Sequence, residues 1–566
     1  MEERIRKAVD EALVQAGAPN VSFVVERPAD MNHGDHATNA ALAAAKVLGK
    51  NPRSLADELA KFLMEKLGKD IASHVTVAGP GFVNITLARG AVSFAVAEAD
   101  VQGSEWGKGN VGAGQKVMIE YTDPNPFKEM HIGHLMSNTI GEAIARLIEN
   151  TGAEVKRANY QGDVGLHVAK AVYARTFPSN VDNGVPWGVA YKMGNDLYES
   201  GSSHKKEIDE INKKIYDRSD EKINKIYDQG IIETLKDFEK IYEKLGMKPI
   251  FVDSADKVHF NFYFYESHTW RDGLELVKQN TPKIFSESDG AIIYRGEQDG
   301  LHTRVFVTSK GLPTYETKEL GLAKLKSDRW NFDISITITA SEQKDYFQVV
   351  LAVLRKIMPA VASKIQHITH GMMRFSEGKM SSRKGNVITA LAFLQDLLDV
   401  AKERARASLA DDPDKLAMQV ALAAAKYQIL KQASSKDIIF DRGRALSLEG
   451  DSGPYLQYAL VRARSVLERA TNIQQPTHNT APAEPARIER IMLHFPEVAA
   501  RAARELAPNL LVNYLTELAG EWNSFYAQER IIGGDHEAHK LMLARAFVNT
   551  MTNGLVVLGI PTPEKM

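Results

Sequence analysis

The chain has no cysteine among its 566 residues, so disulfides, thiolate-bound zinc and iron–sulfur clusters are excluded. It also lacks an excess of either charge. Its 70 basic and 72 acidic residues leave a formal net charge of -2, which argues against a histone-like polycation but still permits a local basic face for RNA. No run approaches the ~18 uninterrupted apolar residues of a membrane span. The opening MEERIRKAVDEALVQAG is an amphipathic helix pattern without the apolar core of a secretory signal. A soluble cytoplasmic protein is therefore expected. Internal repeats and long low-complexity segments are absent too.

What is present fits several globular domains, since at ~150 residues per domain the length suggests three or four. Residues 1–110 combine helical patterns at MEERIRKAVDEALVQAG and RSLADELAKFLMEKLGK with alternating segments VSFVVER and GFVNITLA, an α+β module. GSEWGKGNVGAGQ reads as a linker, and KVMIEYT as a buried strand opening a second domain near Gln115. This domain, 115–411, is expected to be α/β with a Rossmann-type parallel sheet. After its first strand, Leu135, Ile140, Ile144, Leu147 and Ile148 recur at helical spacing, and TGAEVKRANY supplies a glycine stop and the next strand. Charge-laced helices from about 167 to 285 read as an insertion. DGAIIYR with TRVFVTSK suggests a hairpin, ISITITAS a strand and FQVVLAVLRKIM a helix. Residues 412–566 are almost wholly helical and are expected to form an all-α bundle.

Two short segments carry chemistry. In PNPFKEMHIGHLMSN, His131 and His134 stand three apart at the start of a helical pattern and can share one helix face. A zinc site needs a third ligand, and no HExxH pattern accompanies them, so no protein metal site is expected. Far along the chain, EGKMSSRKG sets Lys379, Arg383 and Lys384 among Gly378, Ser381, Ser382 and Gly385. A basic, glycine-bracketed loop suits polyphosphate, because several donors can gather around charge that moves during transfer. Alone, each segment could be an ordinary helix start or a solvated loop.

Together, a His-Ile-Gly-His segment after the first strand of a parallel sheet and a later Lys-Met-Ser loop resemble the paired signatures of class I aminoacyl-tRNA synthetases. The resemblance implies that His131 and His134 hold ATP phosphates at a helix N-terminus, where free N–H groups and the dipole favour anions. It implies that Gly133 lets the nucleotide approach the backbone, and that Lys379 stabilises departing pyrophosphate. Lys128, Met380, Ser381, Arg383 and Lys384 join the expected ATP contacts. Ser382 stands where the second lysine of the family pattern falls, so Arg383 or Lys384 takes that role.

The flanking segments EYTDPNPFKEMHIGHL, NYQGDVGLH, LPTYETKEL, SEQKDYFQVV and GPYLQYALVRARSVL are similar to the arginyl-tRNA synthetase family over nearly the whole chain. A guanidinium presents five donors in a plane and calls for carboxylates and amide or phenol oxygens around it. The family's pocket carries over to Glu120, Asn125, Tyr315, Glu319 and Gln343, with Glu319 where aspartate is usual and Val164 where tryptophan is common. The resemblance implies ATP, L-arginine and tRNA(Arg) as partners, a monomer, and Mg²⁺ held by ATP phosphates and water. It assigns the N-terminal module to the tRNA elbow through Phe82 and Asn84, and the bundle to the anticodon through Tyr526 and Met566. On alternation alone, Phe82 fits a core position as well as an exposed one, whereas Asn84 is expected at the surface. Trp522, Phe525 and Tyr526 fall near one helical stripe, a spacing more common in cores. Arg462 and Arg464 are expected to face phosphate or solvent.

Overall fold

The computed structural model describes residues 1–182, 184–251, 257–376, 388–406, 410–470 and 481–566. Its centre is a five-stranded sheet in the order Ile365–His370, Ile334–Ala340, Lys116–Glu120, Glu154–Gln161, Phe262–Tyr265, with every neighbouring pair parallel. The chain enters at the middle strand, builds outward to one edge, then returns to build the other side. The strand order therefore reverses between Lys116–Glu120 and Ile334–Ala340, and at such a switch point a crevice opens beyond the carboxyl ends of the strands.

The outer strand Phe262–Tyr265 corrects the sequence reading, which places that stretch inside the insertion. Its four aromatic residues, FYFY, carry no apolar–polar alternation, so periodicity could not separate it from the helices around it. The insertion helices Trp187–Ser200, Ser202–Asp217 and Glu221–Lys244 precede it. The hairpin is present, with Ala291–Tyr294 antiparallel to Arg304–Val307.

Helix Ile132–Glu149 follows the first strand, and every residue from Leu135 to Ile148 is buried. An apolar stripe alone would leave one face in water. This helix instead lies between the sheet and the C-terminal bundle, touching helices Pro413–Leu430, Phe495–Arg504 and Pro508–Gln528. Burying Ile140, Ile144 and Leu147 there stabilises the chain by ~1.5–3 kcal/mol each. One apolar core runs from Trp106 through this helix into the bundle.

The bundle differs from its sequence reading at one place. ARIERIMLHFPEVAARAAREL is two helices, Arg487–Met492 and Phe495–Arg504, because Pro496 has no N–H to continue the first. The Gly-rich linker is pinned as well: Trp106 is buried and its indole N–H donates to the Thr550 hydroxyl at 3.1 Å. Among the described residues no helix is long and apolar enough to cross a membrane.

The N-terminal domain carries a four-stranded antiparallel sheet in the order Val25–Glu26, His36–Thr38, Phe82–Leu87, Ala72–Ala78. Asn84 lies in an inner strand, opposite Ala37 on one side and Thr76 on the other, and is only 5% exposed. The expected surface amide is thus withdrawn from solvent, a correction that follows from the inner position of its strand. Phe82, at the strand's first residue, is 39% exposed.

A buried ionic cluster joins these layers. Glu142 accepts from Arg146 Nε at 2.7 Å, Arg157 Nε at 2.7 Å and the Tyr121 hydroxyl at 2.6 Å. The two guanidinium charges outweigh burial and hold its carboxyl at about 2. Arg146 reaches on to the carbonyls of Gly246 at 3.0 Å and Val556 at 2.9 Å. Glu142→Gln takes from Arg146 its carboxylate partner and leaves Arg157 with Glu149 alone, and is expected to cost about 3–5 kcal/mol. A urea unfolding midpoint that does not move in this variant would show that the cluster does not hold the layers together.

Candidate active site

The strand Lys116–Glu120 ends at Glu120, and the chain then turns through Thr122 (φ 76°), Asp123 (φ 44°) and Phe127 (φ 69°), a backbone region that L-residues seldom adopt. The turn is held from several sides. Thr122 N–H donates to Ser137 Oγ at 3.0 Å, Asn138 Nδ2 donates to Thr122 Oγ1 at 3.0 Å, and Tyr160 N–H donates to Asp123 Oδ1 at 2.7 Å. It delivers the chain to the two histidines.

His131 is the N-cap of helix Ile132–Glu149. Its Nδ1 accepts the Gly133 N–H at 3.1 Å, and its own N–H donates to His134 Nδ1 at 3.1 Å, a reciprocal capping box made by two imidazoles. The rings stack with centroids 3.8 Å apart and planes 20° from parallel. With both Nδ1 atoms accepting, the hydrogen-bond network puts each ring proton on Nε2. Burial lowers the pKa of both, more strongly for His134, and each histidine is further depressed by the nearby Lys128 charge. At neutral pH these are two uncharged N–H donors.

This changes the expected role of the helix end. The Ile132 N–H is taken by the Ile388 carbonyl at 3.1 Å and the Gly133 N–H by the His131 ring. The free backbone donors that the sequence reading counts on are therefore occupied, and the imidazole Nε2–H groups and the helix dipole remain for an anion. Gly133 also has another reason than nucleotide approach. A Cβ there would lie 2.9 Å from the His131 ring, so only glycine leaves the imidazole room to fold back.

The second motif, EGKMSSRKG, lies outside the described residues, so Lys379, Met380, Ser381, Arg383 and Lys384 have no geometry here. Its two flanks do. Strand Met373–Phe375 pairs with Ile438–Phe440. On the far side Thr389 bridges to His131, and the Ala390 N–H donates to the Met130 carbonyl at 2.8 Å. The segment that closes the basic loop is thus hydrogen-bonded to the histidine motif itself. Lys128, half-buried, sets its ammonium 4.7 Å from the Tyr191 ring, and burial followed by Lys170 lowers its pKa.

On the other side of the turn the chemistry is opposite. Helix Tyr315–Arg329 places Tyr315, Glu319 and Lys326 along one stripe. The Lys326 ammonium lies 2.7 Å from a buried Glu120 oxygen, and Lys318 pairs with Glu266 at 2.5 Å. Against these two lysines stand Glu120, Asp123, Glu266 and Glu319. Burial and then the Glu120 charge push Glu319 up to about 8 and raise Asp123 well above the usual carboxylate range. Burial also raises Glu266, with Lys318 opposing it. The pocket has more buried carboxylate than counter-charge. Tyr315 is 61% exposed at its mouth, Gln343 is exposed just before helix Lys344–Ile357, and the Tyr346 side chain hydrogen-bonds Glu319. Asn125 is fixed by Gly162, where a Cβ would fall 2.1 Å from its Oδ1.

The structure therefore sets Glu319 beside Glu120 and places Asn125, His131, Gly133 and His134 on the segment that follows that strand end. Asp123, Lys326, Tyr346 and the Lys318–Glu266 pair were missed. Lys326 had a signal, since it falls seven residues after Glu319 on the same helical face. Asp123 had none, because its burial depends on a backbone turn that composition does not reveal. In the bundle, Tyr526 is half-buried with the Arg462 guanidinium 5.1 Å from its ring, and Met566 packs on the core. Arg462 bonds Asn523 and Tyr458, and Arg464 bonds the carbonyls of Thr562 and Pro563. Both guanidinium groups have internal partners, which corrects the expectation that they face phosphate or solvent.

A parallel sheet with a His-x-Gly-His helix start at its switch point and a helical bundle behind it is the architecture of a class I aminoacyl-tRNA synthetase. Residues 96–442 match the family described as tRNA synthetases class I (R), catalytic domain, 456–566 the DALR anticodon binding domain, and 1–87 the arginyl tRNA synthetase N terminal domain. The chain belongs to the arginyl branch of that class. It is 31% identical to the arginine–tRNA ligase of Laribacter hongkongensis over 98% of both chains, and 32% identical to that of Yersinia enterocolitica over 99% of this chain and 98% of the other. The fold is similar to Thermus thermophilus arginyl-tRNA synthetase, with a TM-score of 0.79, 24% identity and 100% of both chains covered.

Gly133→Ala is expected to displace the His131 ring and lower kcat for arginine-dependent ATP–pyrophosphate exchange by about 10²-fold, the loss typical of a ~1 Å misplacement. The KM for arginine should hardly move. A variant with wild-type kcat would show that the folded-back imidazole plays no part.

Proposed function

We infer that the chain joins L-arginine to tRNA(Arg) in two steps, using ATP. The observation that carries the choice of amino acid is the surplus of buried carboxylates around Glu120 and Glu319, which a guanidinium would neutralise and bond in its own plane. In the first step an oxygen of the arginine carboxylate attacks the α-phosphorus of ATP, and the bond to the β-phosphate oxygen breaks to release pyrophosphate. In the second, a terminal ribose hydroxyl of the tRNA attacks the adenylate carbonyl, giving arginyl-tRNA and AMP.

The residues act by position and charge. His131 and His134 donate Nε2–H bonds to phosphate oxygens without adding charge, so the cationic contribution falls to Lys128 and to Lys379, Arg383 and Lys384. Asn125 sits between the phosphate donors and the carboxylates and orients the substrate carboxylate end. Tyr315 and Gln343 wall the outer pocket. Mg²⁺ accompanies ATP. The phosphate side of the crevice offers nitrogen donors among the described residues, which suit phosphate oxygens and not a hard cation, so the ion is carried by the nucleotide and water.

Phe82, exposed on the N-terminal domain, and Tyr526 and Met566 in the bundle are the proposed tRNA contacts, with an exposed ring able to stack on an unpaired base. ATP and tRNA as co-substrates support a cytoplasmic location.

The deciding experiment is ATP–pyrophosphate exchange driven by arginine, with and without tRNA. Exchange stimulated by lysine and not by arginine would sink the specificity. A pH profile tests the pocket directly. Because Glu319 sits at about 8 before arginine binds, it must lose a proton to meet the guanidinium. The KM for arginine should therefore fall as pH rises from 6 to 8, by up to about tenfold per unit, and level off above. Glu319→Gln should raise KM and flatten the profile. A wild-type profile that is flat, or rises, removes Glu319 from the contact.

A further inference from the structure

A second convergence of ionisable groups lies far from the crevice, where the N-terminal domain meets the bundle. Strand His36–Thr38 of the first domain delivers His36. The start of helix Phe495–Arg504 delivers Glu497, with His494 just before it. His36 Nε2 lies 3.0 and 3.1 Å from the two Glu497 oxygens, and His494 Nδ1 lies 2.8 Å from Oε2. The imidazole centroids are 4.8 Å apart. Ligand-capable atoms of all three side chains fall within 4.8 Å of one another. Both histidines are shut off from solvent, at 0% and 1% exposure.

We propose that His36, His494 and Glu497 bind one divalent transition-metal ion of zinc-like chemistry, joining the N-terminal domain to the bundle. Ligand atoms about 2.0–2.2 Å from such an ion stand roughly 3.2–3.6 Å apart in a tetrahedral array, so each histidine–carboxylate pair needs to open by a few tenths of an ångström, within a triad whose ligand atoms lie no more than 4.8 Å apart. Two imidazole nitrogens and one carboxylate oxygen are the donor set of an N/O zinc site with one position left for water. As metal ligands both imidazoles are neutral, so together with the Glu497 carboxylate they would offset one of a dication's two charges.

Neighbouring groups limit the affinity. The Glu2 N–H already donates to Glu497 Oε1 at 2.9 Å, and the Arg27 charge acts on His494 although its guanidinium is engaged by Glu517 at 2.6 and 2.8 Å. The far nitrogens, His36 Nδ1 and His494 Nε2, are buried and meet no hydrogen-bond partner among the described residues. Metal-bound histidines ordinarily donate that second N–H, and its loss weakens binding by about 10–100-fold. Micromolar affinity is the expected range.

The test is titration of the chelator-treated full-length protein with Zn²⁺ by calorimetry, and with Co²⁺ by visible absorption. One equivalent of Zn²⁺ should bind, raising Tm by a few degrees, and Co²⁺ should give the intense d–d bands of a four-coordinate site. With no cysteine in the chain, no thiolate can produce them. His36→Gln and His494→Gln should each weaken Zn²⁺ binding at least tenfold while arginine-dependent ATP–pyrophosphate exchange continues. Wild-type protein that takes up no stoichiometric Zn²⁺, or variants that bind it as tightly as wild type, would overturn the proposal. Should the variants fail to fold, the Co²⁺ spectrum of the wild type decides: weak octahedral bands refute a closed His–His–Glu site.

Discussion

Two guanidinium groups and a phenol converge on the Glu142 carboxylate, and most of the central architecture is referred to that point. Tyr121 ties it to the end of the middle strand, Arg157 to the next strand, and Arg146 to the carbonyls of Gly246 in the insertion and Val556 in the last helix. Beside it the buried Lys426 donates to Leu245 and Gly559 carbonyls at 2.7 Å each, its pKa lowered to about 7 by burial and then by Arg146. A helix buried on all sides cannot choose its own axial position from hydrophobicity, since sliding it one residue trades one apolar contact for another. The directional bonds at Glu142 remove that freedom. They fix where the helix begins, and hence where His131 and His134 stand relative to Glu120.

That register matters because the crevice has two electrostatic halves that must not mix. On one side stand neutral imidazoles and a lysine; on the other, carboxylates outnumber lysines. Between them runs a short turn with Thr122, Asp123 and Phe127 at positive φ. Such conformations cost of order 1–3 kcal/mol each and persist only where the surroundings over-determine them. Bonds from Ser137, Asn138 and Tyr160 supply that constraint. The strained turn separates Glu120 and Asn125 from His131 within a dozen residues of chain.

Much of this was legible because its signals are local. Periodicity revealed the helices, and the spacing of His131 and His134 put them at the start of the helix after the first strand, where they stand. The failures share one physical cause, that long-range neighbours decide them. Asn84 is polar and sits in an alternating strand, yet an inner sheet position buries it. The helix N-terminus looked open until the Ile388 carbonyl, more than 250 residues away, was found on its first N–H. Phe262–Tyr265 lacked alternation because an all-aromatic run has no polar partner to alternate with. Glu319 in place of aspartate was visible, but its pKa of about 8 arises from Glu120 and burial, which only the folded chain brings together.

The N-terminal domain and the bundle, proposed to face distant parts of one tRNA, are not joined by a loose linker. Arg89 pairs with Glu489, Arg490 with Asp35, Arg27 with Glu517 and Arg545 with Asp100 across the seam, while Leu493 of the bundle enters the N-terminal core. Exposed ion pairs stabilise little, but Asp35 and Glu489 are each about 1% exposed in these pairs, and breaking either leaves a buried charge. Rigid spacing has a direct consequence for recognition. Two surfaces held at a fixed separation lose no further orientational freedom when both engage the same RNA, so each contact strengthens the other. A partner with the right spacing between its two ends gains from both surfaces, and one with the wrong spacing gains from only one. On this reading the seam contributes to tRNA selection without touching a base.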